Sequence, residues 1–368
     1  MSQILTFLGK GSSTRTLCAL ATAKLLASQG KRVLLAGLAE PELAILLDTP
    51  LTSEPLEIAP NLQVVQFQAS TLLEQAWEEV KKLEAQYLRT PFLKDVFGQE
   101  LAVLPGMDSA LALNAIRLYE ESGKYDVIVY NGTGDSSTIR TLGMPETLSW
   151  YLRRFRQLFI NSDLGKTISE SPFIQPLLST FLNVSWTPDN FAQPTKQADN
   201  LLEKGKAALA DPTKMAAFLV TTEDPIEVAT ARYLWGSAQQ VGLTVGGVIV
   251  VNSGTPANLS EEFNPLPIIV IPDLKAGDWQ YAMNALPDFA AQAVQAPKPM
   301  EIDTLNRQVR LFLPGFKKKD VKLTQSQDGQ EVTVEAGDQR RNIVLSGALS
   351  GRSVTGAKFE NNYLIISF

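Results

Sequence analysis

The first 37 residues constrain the fold more than any other stretch. An apolar run, QILTFL at 3–8, enters the turn Gly9-Lys10-Gly11-Ser12-Ser13-Thr14-Arg15-Thr16. An Ala/Leu-rich segment follows, predicted helical over about 14–29, and then a second apolar run, RVLLA at 32–36. Both runs are too apolar to face water on either side, so the segment reads as buried strand, turn, helix, buried strand. The same alternation continues along the chain. Strands are expected at LQVVQFQA (62–69), DVIVY (126–130), AAFLVTT (216–222), VGGVIVVN (245–252) and IIVIP (268–272). Helical patterns lie between most of them, including SALALNAIRLYEES and PIEVATARYLWGSAQQVG. The fold class is therefore α/β: a mainly parallel sheet of the P-loop NTPase type, flanked by helices.

Two departures from the alternation mark further parts. From 146 to about 200, and again over about 70–120, long helical and Pro-punctuated segments form a helical insertion. After 294 the chain changes character. A Pro-spaced linker at 295–303 leads into short runs such as VRLFLPGF, DVKLTQSQ, EVTVEAG and NYLIISF, with period-two alternation and Gly turns. Residues 304–368 are thus expected to form an antiparallel β-sandwich behind a first domain of 1–294.

Composition excludes several chemistries. The chain has no histidine, so imidazole acid/base catalysis and His-ligated metals are absent. One cysteine, Cys18, allows neither an internal disulfide nor a thiolate zinc cluster. It reads as a small buried apolar residue in a protein of a reducing cytoplasm. A net charge of -6 does not advertise a nucleic-acid face. No run of 18 apolar residues is present, so membrane contact is expected only through clients or a receptor.

The turn at 9–16 sits where a phosphate-binding loop would sit, with the positive end of a helix dipole behind it. Thr16 is placed to ligate magnesium as a P-loop hydroxyl does. Arg15 stands where that loop has lysine; it keeps the charge, but its planar fork is not a point charge. Ser12 and Thr14 replace glycines that give close backbone approach. On this loop alone, a generic strand–turn–helix is an equally good reading.

Other segments add to it. The loop resembles the Gly-Lys-Gly-Gly-Val-Gly-Lys-Thr of the ArsA and tail-anchored-protein targeting ATPases, the deviant Walker A class. Gly9, Lys10, Gly11 and Thr16 match; Ser12, Ser13, Thr14 and Arg15 depart. The resemblance makes Lys10 the signature lysine that reaches across a homodimer. LPGMDSALAL (104–113) and YDVIVYNGTGDSSTIRTLGMPETL (125–148) are similar to further family segments, the second to switch II. There Thr138, Arg140, Leu142, Pro145 and Leu148 match, Asn131 stands for an Asp, and Ser137 for a His. Asp135 is a candidate to help place magnesium. In switch I, the alignment gives either Glu40, able to orient an attacking water, or Ala39, with no carboxylate. Asn252 matches the residue that reads the adenine edge, and the segment from Pro272 resembles the loop closing over the base.

The residues after 300, VRLFLPGFKKKDVKLTQ and LSGRSVTGAKFENNYLIISF, resemble the α-crystallin domain of small heat-shock proteins. The pairing is similar to the cyanobacterial and chloroplast type of targeting ATPase. It implies a cytoplasmic homodimer that binds ATP and Mg2+ and shields hydrophobic helices such as tail anchors. On WYLRRFRQLFI (150–160), Tyr151, Leu152, Phe155, Leu158 and Phe159 share one helical face. Simple packing of such faces on one another is the alternative. The family's dimer-bridging Cys-x-x-Cys is absent. Losing one preorganised charge stabiliser costs about 3–4 kcal/mol in a transition state, so hydrolysis is expected to be slow. A pseudo-ATPase scaffold or holdase, with structural or no nucleotide, is the second expectation.

Overall fold

The computed structural model describes residues 2–87, 93–161, 192–252, 259–272 and 279–368. Residues 162–191 and 273–278 lie outside them, as do the side chains of Leu158 and Phe159.

The described chain forms two compact units, one of Met1–Gln68, Ala112–Gly143 and Ala208–Phe368, the other of Ala69–Leu111 and Met144–Ala207. The first unit is built on an eight-stranded sheet of order β3-β4-β2-β5-β1-β6-β7-β8. Its central strands are β1 (Gln3–Leu8), β2 (Val33–Leu38), β5 (Val127–Asn131) and β6 (Met215–Thr221). On one side lie β4 (Leu62–Phe67) and β3 (Leu56–Ala59); on the other, β7 (Val245–Asn252) and β8 (Ile268–Pro272). All neighbours are parallel except β3 and β4. The apolar runs read as doubly covered strands are such strands: every residue of β6 is buried. In the core Phe289 meets Phe7 and Phe218 edge-on, with ring centroids 6.0 Å and 4.7 Å away. The short edge strand β3 carried no apolar run that announced it, because only one side of it is paired.

Helices of this unit include α1 (Ser12–Ser28), α2 (Pro41–Leu47), α4 (Met107–Glu121) from Ala112 onward, and α5 (Ser136–Leu142). The second unit holds α3 (Ala69–Tyr87), α6 (Met144–Asn161) and α7 (Ala192–Ala210). There Gly205 lets α7 approach Pro145, since a Cβ would sit 2.8 Å from the ring, and Trp77 Nε1 donates to Val96 O at 2.9 Å. Back in the first unit, α8 (Pro225–Val241) starts on an Asp224 cap that accepts from the amides of Ile226 and Glu227. It stops at Gly242, whose φ of 94° suits a residue without Cβ. Among the described residues, no helix is long and apolar enough to cross a membrane.

The C-terminal strands form two antiparallel sheets. One is β14-β15-β10-β9, comprising Gly356–Glu360, Tyr363–Ser367, Gln308–Phe312 and Met300–Asp303; the other is β11-β12-β13, comprising Val321–Gln325, Glu331–Ala336 and Gln339–Val344. Val309, Leu311, Val332, Val334, Ile343, Leu364 and Ile366 fill the space between them. Residues 300–303, expected in the linker, instead form β9 paired with β10. The Pro spacing stops at Pro299, which frees the next backbone groups to join a sheet.

Candidate functional site

Three loops meet at the carboxyl ends of β1, β2 and β5, the place where open α/β sheets bind ligands. Gly9 opens the first loop. Its position allows no side chain, because a Cβ would lie 2.0 Å from Val220 O on the neighbouring strand β6. Gly11 has φ 87° and precedes α1, whose first helical residue is Ser12. The helix was expected from about 14, so it begins early and winds much of the would-be phosphate loop into its first turn. The Arg15 amide accordingly donates to Gly11 O at 3.2 Å.

Arg15 was expected to aim its charge at a phosphate; the structure turns it inward. It is 4 % exposed, and its two terminal nitrogens donate to Gly9 O at 3.1 Å and Gly132 O at 3.2 Å. Gly134, with φ 69°, makes the room: a Cβ there would fall 2.3 Å from Arg15 Cδ. The amide of Gly9 closes the other side by donating to Gly134 O at 2.9 Å. Burial lowers the guanidinium's pKa, while Glu42, Glu40 and Asp135 oppose that. An arginine stays charged through any ordinary pH range regardless. Loops one and three are thus tied together by the chain's own groups.

The hydroxyl of Thr16 donates to Glu42 Oε2 at 3.0 Å and accepts from Asn131 Nδ2 at 3.1 Å. Ser13 Oγ donates to Glu42 Oε1 at 3.4 Å. A carboxylate on the first turn of α1 is favoured by the helix dipole. Glu42 escaped the sequence reading, which weighed Glu40 against Ala39. Its signal was there: Pro41 at the first helical position puts Glu42 in the first turn of α2, facing the neighbouring loop. Glu40 itself precedes that turn as an exposed capping residue, its carbonyl held by Gln66 Nε2 at 2.7 Å. Lys10 is exposed.

Asp135 caps α5. It accepts from Thr133 Oγ1 at 2.5 Å and from the amides of Ser137 at 2.8 Å and Thr138 at 3.4 Å. Burial raises its pKa, but these hydrogen bonds outweigh burial and hold the carboxyl below its ordinary value. Asn131 ends β5, with its Oδ1 buried and without a partner among the described residues. Asn252 and Pro272 end β7 and β8 and pair in register, two and three strands from β1. The chain following each lies outside the described residues.

The sequence matches the ArsA ATPase family, described as anion-transporting ATPases, over residues 2–265. The chain belongs to the ArsA family. Residues 306–368 match the HSP20-like domain found in ArsA proteins. Proteins named as arsenical pump-driving ATPases from Chlorobaculum tepidum and Prosthecochloris vibrioformis are 26 % and 25 % identical to it, each over all of this chain and 96 % of their own length. A similarly named protein of Aquifex aeolicus is 22 % identical over 99 % of both chains.

ArsA membership implies a nucleotide, usually with Mg2+. A phosphate cradle needs free backbone amides in an open glycine loop and a hydroxyl free for the metal. In this ArsA protein the amides of Gly9 and Arg15 are engaged, the Arg15 guanidinium is buried, and the Thr16 hydroxyl is shared between Glu42 and Asn131. The Glu42 carboxylate would also repel a phosphate at the same helix turn. In this arrangement Gly9–Thr16 do not fit a triphosphate with its metal.

Proposed function

We propose that this ArsA-family protein shields hydrophobic helices of client membrane proteins, such as tail anchors, on its helical unit, and acts as a homodimeric holdase without a nucleotide-driven cycle. The observation that carries the reading is the outer face of α6. Leu148, Tyr151, Leu152 and Phe155, spaced i, i+3, i+4 and i+7, are all exposed, Phe155 by 57 %. Four large apolar side chains in one stripe are more than scattered surface hydrophobics. Covering each of them stabilises a complex by about 25 cal/mol per Å² of apolar surface buried. The closed loop at Gly9–Thr16 supports the nucleotide-independent part.

The test is capture of a synthetic tail-anchor helix by the purified protein, with a scrambled polar peptide as control. Leu152→Asp with Phe155→Asp is expected to weaken capture at least tenfold. Equal capture of the polar peptide would sink the reading.

A second reading, slow Mg-ATP hydrolysis, has family membership in its favour. Magnesium-dependent turnover that disappears in Arg15→Ala would establish it, with Arg15 released from Gly132 and doing the work of lysine. Metalloid transport, which the relatives' names suggest, suits this chain poorly. Soft metalloids are held by several thiolates, and the single Cys18 is buried with its pKa raised to about 12. The lone reduced cysteine accords with a cytoplasmic setting.

A further inference from the structure

The C-terminal sandwich is joined to the loop after β5 by an unbroken path of contacts. Gly134, in that loop, takes the Gly9 amide on its carbonyl and gives its own amide to Thr138 Oγ1 at 2.9 Å, on α5. From α5, Arg140 forms an ion pair with Asp338, in the turn between β12 and β13. The Asp338 amide donates to Tyr233 Oη on α8 at 3.2 Å. One residue of the sandwich therefore grips both helices. The same α8 lies flush against the sandwich. At Gly236 a Cβ would sit 2.2 Å from Pro314 O and 2.6 Å from the Phe316 ring. Trp235 stacks edge-on to Phe312 at 5.6 Å, and Gln240 Nε2 donates to Val334 O at 2.6 Å in a buried setting. At its far end α8 packs on α5, where a Cβ at Gly143 would touch Val241 at 3.1 Å.

We propose that the docked sandwich is a built-in brace for the loop after β5, holding that loop against Gly9 and Arg15 in place of a bound ligand. The joint is suited to part as well as to close. Ser237 Oγ, Gln240 Oε1 and Gln339 Nε2 are buried there without a partner among the described residues, so opening the joint restores hydration that docking removed. By reciprocity, whatever lifts the sandwich from α8 loosens the Arg15 tie, and whatever breaks that tie weakens docking. The inference rests on the fold alone and stands whether or not clients bind α6.

Hydrogen exchange of the full chain tests it, read on peptides covering 9–16 and 132–142. Gly236→Ala, which forces α8 and the sandwich apart, is expected to speed exchange in both peptides by about tenfold. Arg140→Asp is expected to speed exchange at 132–142 by up to about fivefold, the range of an exposed ion pair, and adding Asp338→Arg should restore it. Unchanged exchange at 132–142 in Gly236→Ala overturns the proposal, whatever happens in the sandwich. So does an Arg140→Asp effect that Asp338→Arg leaves in place, because that effect would be local to α5.

Discussion

Arg15 is where residue chemistry decides most. A lysine at that position would end in one compact charge; the guanidinium fork reaches two carbonyls at once. Arg15→Ala leaves Gly9 O and Gly132 O without this donor and is expected to cost about 1–3 kcal/mol, read by denaturant unfolding. Arg15→Lys should recover only part of that loss, since it can serve one carbonyl well and not both. Cys18, on the buried side of the same helix, gives a second handle. Burial holds its pKa at about 12, against an ordinary 9.0, so the thiol is neutral in the fold and ionises first in the unfolded chain. The stability it contributes is complete below pH 9 and declines as pH rises from 9 toward 12. A thiol reagent at pH 8 should leave the folded protein unlabelled and label it stoichiometrically once unfolded. Asp135 has the opposite sign. Its carboxyl is held below the ordinary value, so its stabilisation is present above that value and is lost as pH falls through the lowered one. Asp135→Ala removes the cap of α5 and should cost about 0.5–2 kcal/mol at pH 7, with a smaller loss under acid conditions.

At the scale of elements, the first turn of α1 carries the functional difference. A run of glycines would have kept the loop open by favouring φ angles that a helix does not use. Ser12, Ser13 and Thr14 remove that preference, and Glu42 then holds the turn through Ser13 and Thr16. Glu42→Gln should weaken the first turn, visible as faster amide exchange at 13–16, and should make the turn more receptive to inorganic phosphate. The sheet tolerates far less. Phe218 is fully buried and meets two other rings, so Phe218→Ala is expected to cost about 3–5 kcal/mol, with a large fall in Tm on thermal unfolding.

For the whole molecule, the central question is what joins the ArsA sheet to the HSP20-like sandwich. The polar and aromatic joint along α8 makes them one compact unit, whereas the helical segments form another. Tyr233, Trp235, Gly236 and Gln240 read as ordinary helix residues, since a helical sequence shows which face is apolar but not which distant strand covers it. The sandwich and sheet should therefore melt in one transition by scanning calorimetry, and Gly236→Ala should split or broaden it.

Sequence alone was enough for the doubly covered strands and for the family, because buried strands must be apolar and loop motifs keep their spacing, but not for β3 or β9. The runs at 62–69, 245–252 and 268–272 became β4 (Leu62–Phe67), β7 and β8, and the part expected from 304 to 368 matches the HSP20-like domain over 306–368. Tertiary structure alone decided what the loop at Gly9–Thr16 does. The contacts of Arg15 with Gly132, of Thr16 with Glu42 and of Arg140 with Asp338 span 117, 26 and 198 residues. Such pairs leave no periodicity to read. They depend on strand order and on the direction a side chain takes once its neighbours are packed, and in this protein that direction is inward.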